Sequence, residues 1–170
     1  MAGTLTVQNI EGPSSGSDAN TVIMGSGQKL IVPEHVIGFA STSYNTQITF
    51  TTTTWTTTNL SLSYTNKRSD SKLLLSYNIP VEIYDGGSNS EVIGELRWYK
   101  DSSQLSSSYQ NIQTMQSDRR AGGSMVSTII LDAGDTSSHT WEIFGKVNTD
   151  QFTVFRYNYI GHLTLMEIAQ

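Results

Sequence analysis

The sequence predicts an all-β fold, an antiparallel jelly-roll-like β-sandwich preceded by a short extended N-terminal segment. Three observations lead there. Ser and Thr make up roughly a quarter of the chain, a share that suits pleated faces half turned to water. Apolar and polar residues alternate with period two in many short runs, the spacing of half-buried strands. Long stretches of Ala, Glu, Lys and Leu, which helices favour, are absent.

Along the chain, residues 1–33 hold short apolar clusters between turn formers: Leu5, Val7 and Ile10, then Val22-Ile23-Met24, then Leu30-Ile31-Val32. None is long enough to bury itself, so this part needs partners from elsewhere. From about residue 36 short strands follow one another. Thr46–Phe50 and Leu60–Tyr64 alternate, and Asn66–Asp70 turns the chain. Leu73–Tyr84 predicts a long central strand, in which Pro80 implies an edge or a bulge. Asp85–Ser90 predicts a hairpin connection into a strand at Val92–Tyr99. The polar stretch Asp101–Gly123 predicts a long surface excursion, and strands are expected again at Ser124–Leu131, Thr140–Val147, Phe152–Tyr157 and Leu163–Ile168. Eight or so strands about ten residues apart favour the sandwich, with a barrel as the competitor.

Composition excludes several functions. The net charge is −5, unsuited to a duplex nucleic-acid binder that needs a basic stripe. Cysteine is absent, so disulfides and thiolate metal sites are unavailable. The opening residues Met1–Thr6 have neither a basic nor an apolar leader region, and nowhere do 18 consecutive apolar residues occur. Neither secretion nor membrane insertion is expected, and synthesis in a cytosol is.

Candidate chemistry is sparse. Ser137, His139 and Asp132 could form a nucleophile relay, but no nucleophile-elbow context surrounds them. Asp132, Asp135 and His139 could hold a divalent cation, a spacing that Asx turns explain equally well. His162 could line a symmetry axis, against the plainer reading of a hydrogen-bonded strand residue. Glu82, Glu91, Glu95 and Asp101 are the nearest approach to the paired acids of a glycosidase, and solvent-facing strand acids account for them. Trp55, Trp98 and Trp141 lie in strand-like sequence and are expected in the core or an interface. No catalytic, cofactor or metal residue is therefore assigned. Loops on a rigid sandwich commonly carry recognition, which makes Asp85, Asn89, Gln104, Tyr109, Arg119 and Arg120 the candidate surface-contact residues.

The run Thr4-Leu5-Thr6-Val7-Gln8-Asn9-Ile10-Glu11-Gly12-Pro13-Ser14-Ser15-Gly16, continuing to Gly25-Ser26-Gly27-Gln28-Lys29-Leu30, resembles the start of tail-fibre and other virion proteins of tailed bacteriophages. Those of phages of marine bacteria and cyanobacteria come nearest. The closing Leu163–Gln170 is similar to their final strand, and Asp70–Leu75 to the strand after their first sandwich loop. This resemblance implies a docking or trimer-threading segment over 1–35 and a sandwich head over 36–170, in a homotrimer. Leu5, Val7, Ile10, Val22, Ile23 and Leu30 are then candidate trimer-interface or docking residues. It further implies a non-enzymatic virion protein, a short tail fibre or tip attaching to a host-surface glycan or protein. Its partners would be other virion proteins of the tail or baseplate. A capsid decoration trimer is the alternative, and a surface-glycan hydrolase comes last.

Overall fold

The computed structural model describes residues 34–87, 91–114 and 120–170, with the side chains of 106–109 outside that description. The N-terminal candidates Leu5, Val7, Ile10, Val22, Ile23 and Leu30 therefore lie outside the described residues, as do Asn89, Arg119 and the Tyr109 side chain. Among the described residues ten strands follow in order: β1 (Val36–Tyr44), β2 (Ile48–Phe50), β3 (Thr56–Thr65), β4 (Lys72–Tyr84), β5 (Val92–Lys100), β6 (Ser103–Thr114), β7 (Arg120–Asp132), β8 (Ser138–Val147), β9 (Gln151–Val154) and β10 (Gly161–Ile168). A 3₁₀ turn at Arg156–Asn158 separates the last two.

All pairings are antiparallel. One sheet has six strands and the other four, in the order β3-β8-β5-β6. Without the short β2 and β9, the larger sheet reads β1-β10-β4-β7. Those two four-strand orders are what a doubled Greek key produces, so the fold is a jelly roll.

The core follows from period two. Along β4 every second residue, Leu73 to Ile83, is buried while its neighbours are only partly so. Opposite it stand Leu96 and Trp98 of β5 and Trp141 and Ile143 of β8, all essentially inaccessible. The Tyr77 and Trp98 rings meet at 5.1 Å, and the Trp98 indole N–H donates to Ser127 Oγ across the two sheets at 3.2 Å. Such contact leaves no slack. A Cβ on Gly94 would come within 2.3 Å of the Phe152 ring, so a side chain there would displace the phenylalanine.

Three expectations about connectivity are corrected. Asp85–Ser90 does not close a hairpin, because β4 and β5 belong to different sheets. The connection is longer than the two-residue loop that forces neighbouring strands to pair. Asp101–Gly123 is not one loop: β6 and β7 occupy most of it, each on the edge of a sheet and, among the described residues, paired on one side only. An edge strand facing water needs few apolar residues, so the Ser, Gln and Asn content hid β6, while β7 was expected from Ser124 onward and starts four residues earlier.

Pro80 lies neither on an edge strand nor at a bulge. β7 runs the whole length of β4 on one side, while the other side is shared by β10, along Lys72–Asn78, and β9, along Val81–Tyr84. Pro80 falls in the gap between them. Its carbonyl points that way, accepting the Phe155 N–H at 2.8 Å, so the missing N–H of proline faces the gap and removes no ladder bond.

Candidate functional site

The outer face of the six-stranded sheet is built in cross-strand rows. Phe39 of β1 stands opposite Met166 of β10, Met166 opposite Leu74 of β4, and Leu74 opposite Ile130 of β7. With strands about 4.8 Å apart the row crosses roughly 14 Å of sheet. Phe39 is 59% exposed and Ile130 65%. The next row, Ser41, Thr164, Ser76 and Thr128, is polar and partly tied together, with Thr128 Oγ1 donating to Ser76 Oγ at 3.3 Å. Beyond it come Ser43, His162, Asn78 and Val126. No Asp, Glu, Lys or Arg stands in these three rows. At the far side of the apolar row, Lys72 is neutralised by Asp132 at 2.5 Å. This part of the face is thus uncharged, with exposed apolar side chains gathered in one row beside polar ones.

At the other end of the same face lies a cleft. Its centre is Glu82 on β4, whose carboxylate is only 12% exposed. Arg120 of β7 donates from Nη1 to Glu82 Oε1 at 2.6 Å, and Arg156 brings its Nε within 3.1 Å of the same oxygen. Each guanidinium also lies on a tyrosine ring, Arg120 at 4.2 Å from Tyr84 and Arg156 at 4.4 Å from Tyr157. One carboxylate against two guanidiniums leaves the cleft positive in a chain of net charge −5.

The floor is bare beside Glu82. Gly122, Gly123 and Ser124 of β7 pair directly with Glu82, Val81 and Pro80 of β4, and these residues line a cavity of about 320 Å³. A Cβ on Gly123 would meet nothing within 4 Å. The rim is formed by Tyr157 and Tyr159, 66% and 63% exposed, their rings edge to face at 6.1 Å. The turn that places them is strained: Phe155, Tyr157 and Asn158 have φ of 54°, 56° and 60°, a left-handed geometry that disfavours aromatic residues by roughly 1–3 kcal/mol each. It is held by Phe155, which is fully buried and packs edge-on against Tyr44 at 5.2 Å. The Tyr157 N–H is taken by Gln47 Oε1 at 3.2 Å.

Of the surface-contact candidates, Arg120 is brought against Glu82 at the edge of this cleft, beside the residues that line the cavity. Gln104 lies exposed on β6, opposite Tyr99. Asp85, expected at the surface, is fully buried, and its Oδ1 accepts the Gly87 N–H at 2.9 Å. It shapes the exit of β4 and is out of reach of a ligand.

The other considered groups separate. His139 is gripped on both sides, Nδ1 by Asp101 at 2.6 Å and Nε2 by Asp135 at 3.0 Å. The Asp101 carboxyl is held below its usual range by the Thr140 N–H and then by His139. Asp135 is lowered likewise by the Ser137 N–H and then His139. Asp132 points instead to Lys72, which separates it from His139 and Ser137. Among the described residues no cluster of three His, Asp or Glu is placed to hold a metal ion. Glu95 pairs with Lys146 at 3.3 Å. Trp98 and Trp141 are core residues, whereas Trp55 is half-buried beneath Arg97 at 4.6 Å and Lys146 at 4.8 Å.

No protein-family model matches the chain, and no curated protein matches it. Sequence reasoning missed Glu82 and Arg156 as partners of Arg120, and it missed the apolar row. Leu73-Leu74-Leu75 carried a signal for the row, since three successive Leu in a strand cannot all face inward.

Proposed function

We propose that the chain is a non-enzymatic structural protein of a tailed-phage virion, a short trimeric tail fibre or tip whose jelly-roll head attaches to the host surface. The observation that carries this reading is the division of one sheet face into an uncharged apolar row and, about 26 Å along β4, a positive cleft with a tyrosine rim. The row suits a second copy of the chain. Two chains of net charge −5 repel through most of their surfaces, but this face brings no like charges together. His162 lies on it two rows away, compatible with packing near a symmetry axis. The cleft end stays open when the row is covered, so three copies would present three clefts and gain avidity from weak contacts.

The resemblance of the sequence ends to phage tail proteins supplies the virion context. Immunogold labelling of virions tests it. Label at the tail tip is the expected result. Label over the capsid would replace the fibre by a decoration trimer, and absence of label from virions would remove the virion reading.

A further inference from the structure

The geometry points to the Glu82–Arg120–Arg156 cleft as a binding site for a carboxylated sugar, of the hexuronate class, in a host-surface polysaccharide; the polysaccharide source rests on the attachment reading above. The charge comes first. A guanidinium carries five N–H donors; Arg120 gives one to Glu82 Oε1, and Arg156 Nε lies within ion-pair distance of the same oxygen. Donors remain on both forks, and each guanidinium is held over a tyrosine ring, Tyr84 or Tyr157. A planar carboxylate is the anion that matches such a fork two bonds at a time. The local excess of one positive charge calls for a monoanion and suits a phosphate dianion poorly.

The walls then select the rest of the ligand. Tyr157 and Tyr159 are exposed on the rim, and tyrosine offers an apolar face to a sugar ring together with a hydroxyl. Gly122, paired with Glu82, puts no side chain on the floor of the cavity, which lets a ring approach the strand backbone. A volume of about 320 Å³ is at the lower end for ligand sites and admits one sugar residue of a branch or chain end. The strained turn fits the same account, since backbone strain persists where surrounding structure over-determines it, often at ligand clamps.

The test uses the intact chain and saturation-transfer NMR observed on three probes: glucuronate, glucose and glycerol phosphate. Glucuronate should bind, glucose about tenfold more weakly for want of the charged bonds, and glycerol phosphate more weakly than glucuronate. Arg120→Gln and Tyr159→Ala, both at exposed positions, should each weaken glucuronate by about tenfold while the folded amide spectrum is kept. Equal binding of glucose and glucuronate, glycerol phosphate binding as well as glucuronate, or glucuronate binding unchanged in both variants would each overturn the site. Attachment to host cells is scored separately. Glucuronate binding without cell attachment leaves the site standing and sinks the attachment reading. Cell attachment unaffected by Arg120→Gln and Tyr159→Ala sinks the site and leaves attachment standing.

Discussion

The two sheets fill the same core and turn different faces outward. On the four-stranded sheet the outer positions pair charge with charge and cover what is apolar. Glu95 meets Lys146 at 3.3 Å, and Trp55 lies beneath both Lys146 and Arg97. Tyr99 and Phe144 stack on each other at 4.0 Å, and Phe144 is only partly exposed. On the six-stranded sheet the central rows are uncharged, and Phe39, Val126, Ile130 and Met166 stand open. One face is finished for water by its own chain. The other shows these apolar side chains exposed among the described residues, and that difference is where the functional reading originates.

The comparison breaks most decisively at the apolar row. Placing charge there, as Phe39→Asp with Ile130→Asp, should disperse the proposed trimer completely and leave the fold intact, because both side chains point away from the core. Native mass by light scattering behind a sizing column reads it: three times the 18.7 kDa chain for the parent, one chain for the variant. A parent that runs as a monomer, or a variant that keeps the parent's mass, would mean the face is not where copies meet. Phe144→Asp on the opposite sheet is the control that should keep the trimer.

The next effect in size concerns how the two sheets are joined. Glu167 of β10 points inward and is fully buried. Its carboxylate accepts Tyr64 Oη from β3 at 2.8 Å, the Lys67 and Arg68 N–H groups at 2.8 Å and 2.9 Å, and Ser71 Oγ at 2.5 Å. Burial alone pushes this carboxyl up, but the Ser71 hydroxyl, the Lys67 amide, the Tyr64 hydroxyl and the Arg68 amide together bring it below its ordinary value. Burial, and then Glu167, push the Tyr64 phenol up. Glu167→Ala strands four donors in the interior and should lose about 3 kcal/mol in a urea melt. Because the carboxyl titrates lower in the folded chain than in the unfolded one, its contribution is complete above the unfolded value. It fades as pH falls through the folded one, which lies below the ordinary glutamate value. Glu167→Gln should remove this part of the acid dependence. A variant with the parent's acid profile would show that the hub does not contribute.

These two sites also mark where the sequence could be read and where it could not. β3, β4, β5 and β8 followed from alternation because each has one inner and one outer face, and the jelly-roll class followed from their number and spacing. In Leu163–Ile168 the same rule misleads. Leu163 and Leu165 face inward, but so does Glu167, while Met166 and Ile168 face outward. Pattern treats an inward acid and an outward methionine as an error in the strand; here the first closes the sandwich and the second belongs to the exposed row. Local rules failing at such places is what functional and structural specialisation produces. The cleft was illegible for another reason. Arg120 stands 38 residues from Glu82 in the chain, and Arg156 is farther still, so only strand order brings the three together.

The smallest expected effect sharpens the comparison from the finished side. Lys146 and Glu95 pair on the outer face of the four-stranded sheet with side chains 26% and 19% exposed, and Lys146 also covers Trp55. Such a partly solvated pair contributes at most about 1 kcal/mol. A double-mutant cycle of Glu95→Gln and Lys146→Met should give a coupling of that size or less, shrinking as salt is added. Both single variants should keep the parent's native mass. If removing these charges instead drives further association, the pair's role is to keep copies from meeting on this face, and the contrast between the two sheets is sharper than stability alone reveals. If the coupling reached several kcal/mol and ignored salt, the outer face of the four-stranded sheet would be part of the structural core, and its charges could no longer be read as a surface made for water.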